Sequence, residues 1–324
     1  MSRRRPRPDR WLGAVGLIFS VLLLWLATRD VDWAESLQVL RGADWTLLLL
    51  ALMLQSATYL VGAARWQALF PRPSLAPFNR LAAALLVAQL INVAFPVRLG
   101  PLARVYLLGG ESSQEKVVAL TTVAGEKFLD MLALAIGGGL MILLLPLPAW
   151  AGRAGRGILL VVAAGLAAVL LARSGRRWFE GWLLRFGERV IGAGRAILDG
   201  IDVWLHPARA GRLLLLTAGL WLMGAMVNLL LLHSLGLPGR LSIAAVLLFL
   251  LQLGARVPGA PANAGIFESL CVFGLGWFGI KAGFALGYGM LLHAVVLLPG
   301  LVGGTVVIWS DSMARDGLRR AAGR

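Results

Sequence analysis

The sequence predicts an all-α integral membrane protein with about six full spans and two broken, re-entrant helix pairs arranged as an inverted repeat. Three observations carry that expectation. The 324 residues are 59% apolar and only 15% charged, with long apolar runs from end to end, a composition suited to a bilayer. The Arg residues behind the net charge of +15 cluster beside apolar segments, as they do at a cytoplasmic membrane face. Two apolar segments are interrupted by Pro, Gly, Asn and Arg where an ordinary span would continue, and such backbone is tolerated at membrane depth only against protein or a wet cavity.

Residues 1–10, MSRRRPRPDR, form a basic tail, and the apolar run at 11–27 follows it without a small-x-small cleavage site. The expectation is an uncleaved signal anchor that starts in the cytoplasm. A span needs about 20 apolar residues, and five further segments come near that length: 45–64, 117–145, 157–172, 213–235 and 283–309. Loop charge sets their direction. Loop 28–44 carries two Arg against four acids and reads as outside, whereas 65–80 carries three Arg and no acid and 173–212 eight Arg against four acids. Both of the latter read as cytoplasmic. Arg153 and Arg156 go against the pattern, on a loop this reading puts outside. The basic tail 310–324 returns the chain to the cytoplasm, so the expectation is a multi-pass protein of the bacterial inner membrane with both termini inside. Residues 11–309 then form a single polytopic membrane domain, with repeat halves at 45–145 and 213–309 joined by 146–212.

The first broken segment is LAAALLVAQLINVAFPVRLGPLARVYLL, interrupted at Asn92, Pro96, Arg98, Gly100 and Pro101. The second is SIAAVLLFLLQLGARVPGAPANAGIFESL, interrupted at Arg256, Pro258, Gly259, Pro261, Asn263 and Gly265. With the orientations above, span, broken pair and span occur twice in opposite senses, the arrangement by which many transporters place a polar site near the midplane. Two thin full spans over 241–256 and 262–280 give the same parity without the symmetry, and stand as the alternative. Between the halves, 177–205 carries Trp178, Trp182, Phe186, Val190, Ile197, Ile201 and Trp204 at helical spacing among Arg residues. That pattern predicts a basic amphipathic helix in the interface. Trp11, Trp45, Trp66 and Trp309 near span ends read as an aromatic belt.

Within the 117–145 segment stand Glu126, Lys127 and Asp130. Glu126 and Asp130 share a helix face, and Lys127 reaches Asp130 three residues on. Counted inward from Lys116 at 1.5 Å per residue, Glu126 lies about 15 Å deep. A charge there costs roughly 2.5–3.5 kcal/mol on insertion scales and is seldom kept without a partner. The candidate substrate-binding groups are therefore Asn92, Arg98, Arg104, Glu126, Lys127, Asp130, Arg256, Asn263 and Glu268. In one reading Arg98, Arg104 and Arg256 meet an anionic head group while Glu126, Asp130 and Glu268 orient the Arg residues, accept a cationic moiety or carry protons. In the other, these groups pair only with each other and hold the halves together. His233 and His293 are isolated on apolar segments with no HExxH spacing, Cys271 is the single cysteine, and neither a Walker A sequence nor a GxSxG elbow occurs. No metal, cofactor or enzymatic activity is expected on these grounds, and no nucleic-acid partner, since no aromatic–basic groove accompanies the charge.

NVAFPVRLGPLARVYLL, GEKFLDMLAL and VPGAPANAGIFE together resemble the lysylphosphatidylglycerol synthase transmembrane-domain family, also called flippase-like integral membrane proteins. The matching positions are Asn92, Pro96, Arg98, Gly100 and Arg104, then Glu126 and Asp130, then Pro258, Pro261, Gly265 and Glu268. Three departures stand out: Pro101 where the family usually has Glu, Lys127 for Arg, and Ala262 for Gly. The first removes a partner for Arg98 or Arg104, and the second keeps a charge without the planar fork of a guanidinium. The resemblance implies transfer of a polar-headed lipid between leaflets. In fused members a separate domain attaches an amino acid from aminoacyl-tRNA to phosphatidylglycerol. The fifteen residues after the last expected span cannot hold that domain, so lipid modification is expected of another protein. The rival expectation is a non-transporting accessory subunit whose basic amphipathic helix holds a glycosyltransferase or lipid-modifying enzyme at the membrane.

Overall fold

A computed structural model describes residues 40–72, 76–95, 99–108, 113–144, 149–176, 206–255 and 261–310, together with positions 25, 37, 178, 194, 195, 198–200, 202 and 204. The expected first span, both tails, Pro96, Arg98, Arg256, Pro258, Gly259 and most of the 177–205 segment lie outside the described residues. Among the described residues every regular element is helical: α1 (Trp45–Leu69), α2 (Phe78–Ala94), α3 (Gly100–Leu108), α4 (Ser113–Leu144), α5 (Ala149–Ser174), α6 (Pro207–Ser234), α7 (Leu241–Gly254), a 3-10 turn at Pro261–Asn263, α8 (Ile266–Gly276) and α9 (Ala282–Ser310).

Local chemistry accounts for several of these boundaries. Asp44, one of the acids of the 28–44 loop, is the N-cap of α1: its Oδ1 accepts the N–H groups of Thr46 at 2.8 Å and Leu47 at 3.3 Å, which a helix start would otherwise leave unpaired. α6 opens on Pro207, whose missing N–H is harmless at a first helical position. α1, α6 and α9, at 25, 28 and 29 residues, are long and apolar enough to cross a bilayer. Their outer faces stay apolar: Leu215 of α6 is 76% exposed and Met53 of α1 69%. Such surface needs lipid around it, and the chain is a multi-pass membrane protein.

Two expected boundaries move. α1 runs past residue 64 to Leu69, so Arg65 and Trp66 belong to the helix and not to a cytoplasmic loop or an aromatic belt. α5 begins at Ala149, which takes Arg153 and Arg156 out of the expected loop and into its opening turns. The breaks fall where Pro and Gly accumulate. α2 and α3 have 17 and 9 residues, α7 and α8 have 14 and 11, or about 26, 14, 21 and 17 Å at 1.5 Å per residue. Each is shorter than the roughly 30 Å of hydrocarbon in a bilayer. α7 and α8 pack side by side.

The chain divides into two compact units that do not follow the sequence halves. The first takes residues up to Ser56, Ala88–Gly100 and Gly224–Thr305; the second takes Ala57–Val87, Pro101–Met223 and Val306 onward. The first unit has a core around Leu231, Leu247, Leu275, Tyr288 and Leu292, in which the Tyr288 hydroxyl donates to Asn228 Oδ1 at 2.7 Å. The core of the second gathers Trp66, Leu69, Leu81 and Leu213.

Candidate functional site

The second unit contains a buried charge network. Arg104 of α3 donates through both terminal nitrogens to Glu126 of α4, Nη1 to Oε1 at 3.1 Å and Nη2 to Oε2. Arg65 of α1 donates to Asp130 Oδ1 at 2.7 Å and lies 3.5 Å from Glu126 Oε1. Two guanidinium groups thus face two carboxylates, and the four charges cancel. Forked, charge-assisted contacts of this kind are the strong ones. Trp66 supports the network: the Arg104 guanidinium lies 3.8 Å above its ring, a cation–π contact, and its Nε1–H donates to Thr122 Oγ1 at 2.9 Å. Lys127 stands apart, 3.6 Å from Asp130 with its side chain 56% exposed. The Nε–H groups of Arg65 and Arg104 are buried with no hydrogen-bond partner among the described residues. Gly125 makes room for Trp204, whose ring carbons would stand 2.4 Å from an added Cβ, and Trp204 Nε1–H donates to the Leu69 carbonyl at 3.3 Å. Trp204 therefore packs against α1 and α4, a correction to the expectation that it faces the acyl boundary.

Both helix breaks contribute to the first unit. At the first, Asn92 Oδ1 accepts the Gly100 N–H at 2.8 Å, so a side chain from the end of α2 caps the start of α3. A Cβ at Gly100 would come within 2.6 Å of the Ala88 carbonyl oxygen and the Asn92 amide, which restricts the position to glycine. Pro101 follows in the first turn of α3, where its lack of an N–H costs nothing. At the second break the backbone turns left-handed: Ala262 and Asn263 both have φ of 59°, and Gly265 has φ of 86°. Asn and Gly visit that region readily, whereas Ala does so at a penalty.

Glu268 closes the second break. Its Oε2 accepts the Gly265 N–H at 2.7 Å, the acidic half of a capping box; Gly265 has no side chain to supply the other half. Glu268 Oε1 lies 2.6 Å from His293 Nδ1, and His293 Nε2 lies 3.0 Å from the Ala262 carbonyl oxygen. The imidazole stacks on Phe267 with centroids 4.5 Å apart. Beside it is a cavity of about 260 Å³ whose polar lining is Gln89, Asn92, Gln252, Asn263 and His293, with Phe95 and Phe267 among its apolar walls.

Of the sequence-predicted groups, Arg104, Glu126, Lys127 and Asp130 come together in the second unit, and Asn92 and Asn263 line one cavity in the first. Glu268 is expected to orient an Arg, accept a cation or carry protons; among the described residues its side chain meets His293 and the Gly265 N–H. The expectation of an isolated His293 is corrected by the same contacts. Arg65, Trp66, Gln89 and Gln252 are not among the binding groups predicted from sequence. Arg98 and Arg256 lie outside the described residues. Among the described residues no three His, Cys, Asp or Glu side chains converge on a metal position.

Compared with known families, the chain matches the one described as lysylphosphatidylglycerol synthase TM region over residues 13–304, and it belongs to that family. That membership ties it to membrane lipid metabolism or transport. No curated protein matches the chain.

Proposed function

We propose that this member of the lysylphosphatidylglycerol synthase TM family moves a polar-headed lipid between leaflets, without covalent chemistry, by exposing the cavity at its helix breaks alternately to the two sides. The observation that carries the reading is the cavity itself. In a chain that is 59% apolar, four carboxamide side chains and an imidazole converge on one space where both breaks meet. The Gln89 and Asn263 amides make no side-chain hydrogen bond among the described residues. Both are half-buried, and a head group rich in donors and acceptors would pair them.

In this reading the protein has six full spans and an inverted repeat, lies in the bacterial inner membrane with both termini inside, and draws on no nucleotide: lipid movement is passive or follows an ion gradient. The charge network around Glu126 holds the second unit together and leaves recognition to the cavity, because its guanidinium groups are already engaged.

The test is translocation of head-group-varied fluorescent lipids in liposomes, read by an impermeant quencher, for the wild type, Asn263→Leu and Gln252→Leu. The expected result is protein-dependent movement of some head groups and a loss of about tenfold or more in each variant, the equivalent of one unpaired head-group contact. If the wild type moves no lipid, with or without an ion gradient, the transport reading is wrong. Co-purification with a lipid-modifying enzyme or glycosyltransferase would then establish an accessory subunit.

A further inference from the structure

We propose that Glu268 and His293 form a proton-binding site that latches the second helix break, with one proton bound when the break is closed and released when it opens. The latch is independent of what the protein transports; its use in driving transport rests on the reading above.

The argument is a count of donors. The Ala262 carbonyl oxygen only accepts, so the 3.0 Å contact requires a hydrogen on His293 Nε2. The 2.6 Å contact between His293 Nδ1 and Glu268 Oε1 requires a second, on either atom, since two lone pairs do not approach so closely. A neutral imidazole carries one hydrogen and a carboxylate none. The closed arrangement therefore holds one proton more than neutral His and ionised Glu supply, and that proton comes from water. Hydrogen bonding of Gly265 N–H to Oε2 leaves Oε1 for the shared proton.

Nothing else in the described surroundings neutralises the carboxylate. His293 of α9 is its only ion-pair partner among the described residues. Phe267 covers the imidazole face, Gly289 of α9 packs against the Glu268 backbone, and Gln89 and Asn92 of α2 with Gln252 of α7 present uncharged amides to the cavity beside it. Cys271, one turn on in α8, is a further titratable group, and it is buried as a free thiol. Loss of the proton leaves a buried negative charge and removes one of the two contacts of His293. The segment this frees is strained already, because Ala262 is held at a φ of 59°, a conformation that persists only where neighbours enforce it.

The sign follows from linkage. The closed state binds one more proton than the open state, so closing is favoured at low pH and weakens as pH rises, by up to about tenfold per pH unit. Hydrogen exchange read by mass spectrometry, on the protein in nanodiscs, tests this on peptides covering 261–270, with rates corrected for the intrinsic pH dependence of exchange and α6 as the reference for intact fold. The expected result is protection that falls toward tenfold per pH unit in the wild type and is flat with pH in both His293→Gln and Glu268→Gln. A flat wild-type profile, or variants that track a sloping one, would overturn the latch. In liposomes the ratio of lipid flux with and without an imposed pH gradient should depart from one in the wild type and approach one in both variants. Sloping protection without lipid movement would keep the latch and reject the transport reading; lipid movement with flat protection would do the reverse.

Discussion

Glu126 and Glu268 are both buried carboxylates in apolar helical surroundings, yet their charges are met in different ways. Glu126 receives a forked Arg104, with Arg65 close by. Both counter-charges are permanent, because a guanidinium does not give up its proton at any ordinary pH. Glu268 receives an imidazole and one backbone N–H, and an imidazole exchanges its proton in the physiological range when unperturbed. The comparison teaches a division of labour within one chain. Fixed counter-charges build a network that cannot change state without breaking. An exchangeable counter-charge builds a contact that can be made and unmade while the surrounding helices stay folded.

The largest expected effect tests the first half of that statement. Arg104→Ala leaves Glu126 buried with Arg65 at 3.5 Å as its nearest cation and uncovers the Trp66 ring. Removing one partner of a buried pair costs about 3–5 kcal/mol, whereas replacing both with apolar groups is often near neutral. The thermal transition of the purified protein in detergent should therefore fall sharply for Arg104→Ala and recover most of the loss in the Arg104→Met, Glu126→Met double variant. If the double variant is as unstable as the single one, the network does more than neutralise itself, and one of its charges faces a ligand.

Two glycines, one beside each carboxylate, give a matched second test. An added methyl at Gly125 would stand 2.4 Å from the Trp204 ring, while at Gly289 the nearest atoms are Cys271 Cβ at 3.1 Å and Glu268 Cα at 3.3 Å. Both sit in helices, where Ala gains up to about 1 kcal/mol over Gly. At Gly125 the clash wins, since overpacking costs about 1–3 kcal/mol, and Gly125→Ala should lose about 1–2 kcal/mol. At Gly289 a shift of a few tenths of an ångström relieves the contact, and Gly289→Ala should stay within about 0.5 kcal/mol of the wild type in the same melt. A large loss at Gly289 instead would mean that α8 cannot move relative to α9, contrary to what an opening latch requires.

How far these sites were legible in sequence depends on whether their signals were local. The helix breaks were legible because Pro, Gly and Asn stand out against an apolar background, and the break segments end within a few residues of where those residues begin. Glu126 and Asp130 were legible for the same reason. Their partners were not. Arg65 pairs with an acid 65 positions away, and it sits where a basic residue ordinarily marks a cytoplasmic loop, so charge bias assigned it to the wrong element. Trp66 was read as a belt residue by its place near a span end, although only packing decides whether such a ring faces lipid or core. His293 was dismissed because no ligand-like spacing surrounds it. An imidazole in an apolar helix is nonetheless an intramembrane ionisable group, and Glu268, 25 positions earlier, was its unassigned counterpart. The resemblance was legible through three short motifs, and the family match extends across the regions between them.

The smallest expected effect separates strain from protonation at the second break. Ala262 occupies a left-handed φ of 59°, which costs a residue with a Cβ roughly 1–2 kcal/mol. Ala262→Gly removes that strain but lets the unfolded chain gain about 0.4–1 kcal/mol of conformational freedom. The net should be a stabilisation of about half a kcal/mol, read as a melting shift on the order of one or two degrees. The pH profile is the sharper readout. Glycine at 262 changes neither the carbonyl that His293 reaches nor the number of protons in the closed state. Protection of 261–270 should therefore move by one common factor at every pH and keep the wild-type slope. A changed slope would mean that the backbone conformation at Ala262 helps to hold the proton, and that strain and protonation at this break act as a single step.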